Sequence, residues 1–283
     1  VSRVHVLTPA PDYPEDYRWA YDVEAAALEA GGLGVAPVPW TRAGALGAGD
    51  TVLPLVAWGY HLDAPRWHAM LDRLEASGAN VINSVPVLRW NSDKAYLAEL
   101  GAAGVPTIES RVVAVLGEDD LAKARRAWGG DIVVKPPVSA SATGTYRLGP
   151  DDPLPGELAG RAAIFQPFLE SVTSEGEYSL LLFDGALSHA VVKRPKDGDY
   201  RVQPHLGGRE GRCDAPESAV EIAHAALAVA PGDCAYARVD LVRGRDGGLK
   251  VIELELIEPS LWLQHAPDGG ASFAAAIRRR IQP

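Results

Sequence analysis

Four carboxylates stand close together near the C-terminal end of this chain: Asp240, Glu253, Glu255 and Glu258. Asp240 closes the run Tyr236-Ala237-Arg238-Val239, and Glu253 and Glu255 sit in Val251-Ile252-Glu253-Leu254-Glu255-Leu256. Residues two apart on a strand share a face, so Glu253 and Glu255 project together. Two half-buried carboxylates side by side repel each other, and the arrangement makes sense if a cation sits between them. The turn Arg245-Asp246-Gly247-Gly248 folds the chain back, so Asp240 on a neighbouring strand can supply a third oxygen. One or two carboxylates plus phosphate oxygens are the usual setting of Mg²⁺. A solvent-facing acidic stripe on an edge strand would show the same residues.

The basic residues favour the metal-phosphate reading. Lys135 ends the apolar run Ile132-Val133-Val134, where a lysine is expensive to bury unless it meets an anion. The small-residue loop 139–145 follows, and Ser139 and Ser141 in it could bring hydroxyl and backbone N–H groups close to phosphate. Lys193 ends Ala190-Val191-Val192, and Arg201 lies in Asp199-Tyr200-Arg201-Val202-Gln203. Each alone is an ordinary surface cation. Their repeated placement at strand ends, upstream of a carboxylate cluster, is harder to explain that way. The seven histidines show no metal spacing, and no Ser-His-Asp or Cys-His signature is present. His61 and His205 are at most substrate contacts.

These groups need a frame. The first ninety residues alternate strand and helix signals: strands at 4–7, 35–38, 52–56 and 81–82, helices at 17–30 and 65–76. Such alternation favours a parallel sheet whose ligand crevice lies at the carboxyl ends of its strands, where Trp58-Gly59-Tyr60-His61 would sit. The segment after the first strand, Leu7-Thr8-Pro9-Ala10-Pro11, lacks a GxGxxG fingerprint and argues against a dinucleotide-dependent dehydrogenase. A helix capped by Asn91 or Ser92 is expected to run to about residue 100. Strands are expected at 107–110, 132–135, 163–165, 178–183, 187–192, 235–242 and 250–256, with helices at 118–128 and 218–228. Asp184-Gly185 marks a hairpin.

With 283 residues, 47% of them apolar, the chain is long enough for one enzyme of two or three lobes. The net charge of −10 makes nucleic acid and anionic membrane poor partners. Two distant cysteines, Cys213 and Cys234, argue against a disulfide scaffold and a zinc site. No signal-like or membrane-spanning apolar run appears, so a cytoplasmic, unprocessed protein is expected.

Taken in order, these segments resemble the ATP-grasp superfamily across residues 80 to 265. The resemblance implies an α/β fold with an N-terminal parallel-sheet lobe (1–90), a central lobe with the phosphate loop (91–165) and a C-terminal lobe with the metal site (166–283), the last two clasping ATP. In Asn91-Ser92-Asp93-Lys94, Lys94 matches the first phosphate-binding lysine. In Val133-Val134-Lys135-Pro136, Lys135 matches the second, which reaches the α-phosphate and adenine. Gln166-Pro167-Phe168-Leu169 matches the hinge that reads adenine, Glu177 is the better ribose ligand and Glu175 the second. Arg201 with Gly207-Gly208 matches the pair facing the transferred phosphate, Lys193 joins Arg201 there, and Asp240, Glu253 and Glu255 match the Mg²⁺ ligands.

Two features depart from the superfamily pattern. The phosphate loop is poor in glycine, and Glu255 stands where Asn is usual. The spacing to Pro259 is one residue longer than usual, which leaves Glu255 and Glu258 both open as the last ligand.

Arg89-Trp90-Asn91-Ser92-Asp93-Lys94, Gly176-Glu177-Tyr178-Ser179-Leu180, His189-Ala190-Val191-Val192-Lys193 and Asp199-Tyr200-Arg201-Val202-Gln203 further resemble one branch. It contains the cycloserine-forming cyclo-ligase of antibiotic biosynthesis, which closes O-ureido-D-serine to D-cycloserine. The implied reaction is ATP-dependent phosphorylation of a small amino-acid-like substrate's carboxylate, followed by attack of a nitrogen nucleophile. An amino-acid or dipeptide ligase, a small-molecule kinase on the same fold and a nucleotide-binding regulatory protein remain alternatives, and homodimerisation stays open.

Overall fold

The computed structural model describes residues 3–140, 142–202 and 207–281. Three sheets follow one another along the chain. The first is built from β1 (Arg3–Thr8), α1 (Arg18–Ala30), β2 (Gly34–Pro39), β3 (Thr51–Leu53), α2 (Ala64–Ser77) and β4 (Asn80–Val81). Its order is β2-β1-β3-β4 and every pair is parallel, as the strand-helix alternation requires. Helix α2 starts where Asp63 Oδ1 accepts the Arg66 N–H at 3.2 Å, and Gly78 at φ 72° ends it. Trp67, Met70, Leu71 and Leu74 form its buried face.

Next come α3 (Val85–Asn91), α4 (Tyr96–Ala102), β5 (Arg111–Val113), α5 (Glu118–Trp128), β6 (Ile132–Lys135), β7 (Tyr146–Leu148) and β8 (Ala163–Pro167). These strands pair antiparallel in the order β5-β8-β6-β7. The last sheet holds β9 (Glu177–Phe183), β10 (Ala186–Arg194), β11 (Arg209–Cys213), β12 (Tyr236–Arg243) and β13 (Leu249–Glu255), in the order β11-β10-β9-β12-β13. A short helix, α6 (Ser171–Ser174), precedes it, α7 (Ala219–Leu227) lies between β11 and β12, and α8 (Ala271–Arg280) closes the chain. The β9–β10 turn places Asp184 and Gly185 at φ 47° and 77°, the left-handed pair a two-residue hairpin needs.

Several expected elements are different, and the strand expected over 52–56 covers only Thr51–Leu53. Instead of one helix from Asn91 to residue 100, α3 ends at Asn91 and α4 begins at Tyr96. The Asn91 side chain is committed elsewhere: it donates to the Leu254 carbonyl at 2.7 Å and accepts the Leu256 N–H at 2.8 Å. Residues 107–110 form no strand in the second sheet. They bracket β13 instead, through a bridge of Thr107 with Val251 and the Ile108 N–H to Val251 carbonyl bond at 2.9 Å. The second sheet also takes in Gln166 and Pro167, so it reaches past residue 165.

Helix α8 returns to the start of the chain. Phe273, Ala276 and Ile277 share one core with Val4, Val6 and Leu28 of the first sheet layer and Leu181, Phe183 and Tyr236 of the third sheet. Burying a side chain such as Phe273 stabilises by about 1.5–3 kcal/mol. Asn83, at φ 55°, ties the same layers together. Its amide donates to the Tyr236 and Leu256 carbonyls at 2.9 Å each and accepts the Ala235 N–H at 2.8 Å. The strands that carry Asp240, Glu253 and Glu255 are thereby fixed against the first sheet. Among the described residues no helix is long and apolar enough to cross a membrane.

Candidate active site

A cavity of about 620 Å³ opens where the three sheets meet. Strand register delivers its charged groups. Asp240 on β12 faces Glu253 on β13, and Arg238 faces Glu255. On the other side of β12, Asp240 faces Ser179 of β9, whose hydroxyl donates to its carboxylate at 2.6 Å. Glu177, at the start of β9, faces Lys193 on β10. Gly176 makes that approach possible: at φ 101°, a Cβ there would lie 2.5 Å from the Lys193 carbonyl oxygen.

The result is a chain of ion pairs. Lys193 pairs with Glu177 and, at 2.9 Å, with Asp240. Arg238 pairs with Asp240 at 2.9 Å and with Glu255, and its guanidinium carbon stands 5.0 Å from the Trp262 ring centre. Lys94 pairs with Glu253 at 3.1 Å and donates to the Ser139 carbonyl, which ties it to the loop that follows Lys135.

Burial opposes ionisation of Asp240, but Arg238, Lys193 and Ser179 hold its carboxyl well below the usual range. Burial also works against Glu253, yet Lys94 and Lys135 keep it below the ordinary value. Glu255 is pushed well up by burial in spite of Arg238, and Glu177 is pushed up to about 7 by burial against the pull of Lys193. Lys193 keeps its charge above the ordinary lysine value because Asp240 and Glu177 outweigh its burial. Lys135 is the exception. It is 9% exposed, burial drops it to about 8 against the pull of Glu253, and Lys94 adds to the drop.

Most of the sequence-derived residues border this one cavity: Lys94, Lys135, Ser139, Gln166, Phe168, Leu169, Glu177, Lys193, Arg201, Glu253 and Glu255. Gln166 donates to Ser110 Oγ at 3.0 Å, and Arg147 covers the Phe168 ring at 3.7 Å. Arg201 stands at the edge, held by Asp199 at 3.0 Å. Asp240 is fully buried behind the cavity wall and does not border it. Glu175 is not brought in; it faces away and pairs with Arg243 at 2.8 Å. Ser141 and His205 lie outside the described residues.

Sequence reasoning missed Arg238, Tyr13, Glu15 and Trp262, which all border the cavity. Arg238 was visible as the one charged residue in the run before Asp240, two positions away and therefore on the same strand face. The others sit on loops and carry no periodic signal. Trp58, Gly59, Tyr60 and His61 do line the cavity from the first sheet. Tyr60 also stacks on Trp67 at 4.9 Å, so packing and lining go together. Burial, with Lys94 nearby, lowers His61 to about 4, which leaves it neutral at pH 7.

The donor set suits a hard divalent cation. One carboxylate oxygen each from Asp240, Glu253 and Glu255 lies within 4.8 Å of the others. Glu258 borders the cavity but is not part of that group. Asp240 already receives Ser179, Lys193 and Arg238, so Glu253 and Glu255 are the two that face open space.

The comparisons with known proteins agree with this geometry. Residues 5–83 match the family described as the N-terminal domain of D-cycloserine synthetase DcsG. The cycloserine biosynthesis protein DcsG of Streptomyces lavendulae is 39% identical over 224 residues, covering 72% of this chain and 74% of that protein. The crystal structure of D-cycloserine synthetase DcsG superposes with a TM-score of 0.82 at 31% identity, over 99% of this chain and all of the other. The D-alanine–D-alanine ligase of Bacillus anthracis gives a TM-score of 0.71 at 17% identity over 99% of both chains, a likeness of fold.

Fold and site together define an ATP-grasp enzyme, an ATP-dependent carbon–nitrogen ligase. Within that class the chain belongs to the family of the cycloserine biosynthesis protein DcsG.

Proposed function

We propose that this enzyme closes O-ureido-D-serine to D-cycloserine, using ATP and Mg²⁺. The observation that carries the reading is a single cavity in which buried lysines and the Glu253–Glu255 pair meet a wall of Tyr13, Trp58 and Tyr60. Bulky rings at that end leave room for one amino acid rather than a peptide. The names of the relatives, a cycloserine biosynthesis protein and a D-cycloserine synthetase, support the same substrate.

In this reading Gln166, Phe168 and Leu169 border adenine, and Glu177 accepts from ribose hydroxyls. Lys94, Lys135, Lys193, Arg201 and the loop carrying Ser139 and Ser141 neutralise and hold phosphate oxygens. Glu253 and Glu255, with Asp240 behind them, would hold Mg²⁺, which supplies positive charge against the phosphate oxygens. The substrate carboxylate takes the γ-phosphoryl group, giving an acyl phosphate and ADP. The ureido nitrogen bonded to oxygen then attacks the acyl carbon. A C–N bond forms, the C–O bond to phosphate breaks with its electron pair, and the nitrogen loses its proton. Water removes the carbamoyl group as carbon dioxide and ammonia. The protein's part is mostly positioning and charge neutralisation. The lobes 1–90, 91–165 and 166–283 and a cytoplasmic location belong to the same proposal.

The test is ADP release with O-ureido-D-serine as the sole co-substrate, with mass spectrometry of the product. A five-membered ring product is expected. Release of ADP only when two separate amino acids are supplied, with a dipeptide as product, overturns the cyclo-ligase reading and leaves the ligase class intact.

A further inference from the structure

Glu177, Asp240, Glu253 and Glu255 are each paired with a cation, and Lys193 and Arg238 serve two of them apiece. Glu177 has Lys193, Asp240 has Lys193 and Arg238, Glu253 has Lys94, and Glu255 has Arg238. Glu258 has none. It is half-buried and borders the cavity, and no described residue donates a hydrogen bond to it or pairs with it. It also stands outside the three carboxylates close enough to share a metal ion. The reason is local: β13 ends at Glu255, so the strand alternation that aims Glu253 and Glu255 together no longer governs Glu258. It shares the cavity lining with Tyr13 and Tyr60, whose phenols are pushed up first by burial and then by nearby carboxylates, Glu258 among them.

A partly buried carboxylate without a partner is unfavourable unless a cation completes it. Next to aromatic rings, the complement is an ammonium group, which bonds to the carboxylate and is attracted by the ring faces. We propose that Glu258 receives the α-ammonium group of the substrate, with Tyr13 and Tyr60 beside it, so that the enzyme selects free amino acids over acids lacking the amine. This rests on the small amino-acid-like substrate proposed above. It fits the chemistry of such a molecule: the α-nitrogen is separated from the reacting carboxyl carbon by a single atom. A site for it therefore belongs beside the Glu253–Glu255 pair, where Glu258 follows three residues after Glu255.

The experiment measures binding by calorimetry, in the presence of Mg²⁺ and a non-hydrolysable ATP analogue. The probes are O-ureido-D-serine and its desamino analogue, 3-(ureidooxy)propanoate. Wild type should prefer the amino compound by about tenfold or more, the scale of one charge-assisted contact. Glu258→Gln should lose that preference while its affinity for the nucleotide analogue and its magnesium requirement stay unchanged. Glu258→Asp, which keeps the charge, should retain part of the preference, and melting curves confirm that both variants are folded. Several results overturn the assignment. Glu258→Gln could keep the wild-type preference. It could instead shift the magnesium requirement, which would make Glu258 a metal ligand. The preference could also be lost only in Glu15→Gln, whose carboxylate is exposed at the cavity mouth. Wild-type protein that binds neither compound overturns the substrate reading itself, a result distinct from a preference that survives Glu258→Gln.

Discussion

Lys135 ends β6 on one wall of the cavity, Lys193 lies near the end of β10 on another, and their surroundings treat the same side chain in opposite ways. Lys193 is 6% exposed and locked between Glu177 and Asp240. Lys135 is 9% exposed with no carboxylate in ion-pair range among the described residues, and its charge is held down by burial. Lys193 is paired within the protein and organises its carboxylates. Lys135 has no such close pair and feels Glu253 only at longer range. A buried cation left unpaired is unfavourable for folding and favourable for a phosphate that arrives later.

The strongest break of this contrast is at the carboxylates that Lys94 and Arg238 hold in place. Glu253→Gln should lower turnover by about 10²-fold or more, the scale of losing one preorganised charge at a reacting group. Near-normal ADP release by this variant at saturating magnesium would remove Glu253 from the metal site.

Next come the lysines themselves. Lys193→Met leaves Glu177 and Asp240 buried without their shared partner, and such a loss typically costs about 3–5 kcal/mol. Denaturant melts should show that loss. Lys135→Ala should behave in the opposite sense: apo stability held or raised, and nucleotide affinity reduced about tenfold or more through the loss of a contact worth about 1.5–3 kcal/mol. Two variants with equal effects on stability would erase the distinction.

The pH dependence sharpens it. Folded Lys135 titrates at about 8, below its ordinary 10.5. Between those values the unfolded chain binds the extra proton, so this group makes stability rise with pH from about 8 to about 10.5. ATP affinity should fall over the same rise, because the lysine must regain its proton to meet phosphate. Lys135→Met should flatten both trends, which paired melts and nucleotide titrations at pH 7 and 9.5 would detect.

The smallest effect belongs to Glu175. Its pair with Arg243 is 37% exposed on both sides, and exposed pairs contribute about 0–1 kcal/mol. Glu175→Ala should leave ATP affinity unchanged, whereas Glu177→Gln should weaken it. A clear loss in Glu175→Ala would return that residue to the ribose site.

The sequence by itself determined whatever depends on neighbours along the chain. Alternation put Glu253 and Glu255 on one face, Asp184-Gly185 made its hairpin, and the spacing at 118–128 made α5 with those same bounds. The parallel first sheet followed from alternating strands and helices. Local rules failed where a side chain answered to a distant partner. Asn91 carries the right chemistry for a helix cap, but two backbone groups of the segment after Glu253 claim it, and the expected helix starts only at Tyr96. Residues 107–110 have strand composition, but β13 takes their backbone bonds. Only the tertiary structure decided that Arg238 joins Asp240 to Glu255, that Glu175 faces Arg243, and that Glu258 stays outside the cluster of Asp240, Glu253 and Glu255. Charge pairing is set by distance in space, and bulges, strand ends and loops separate that distance from position in the chain.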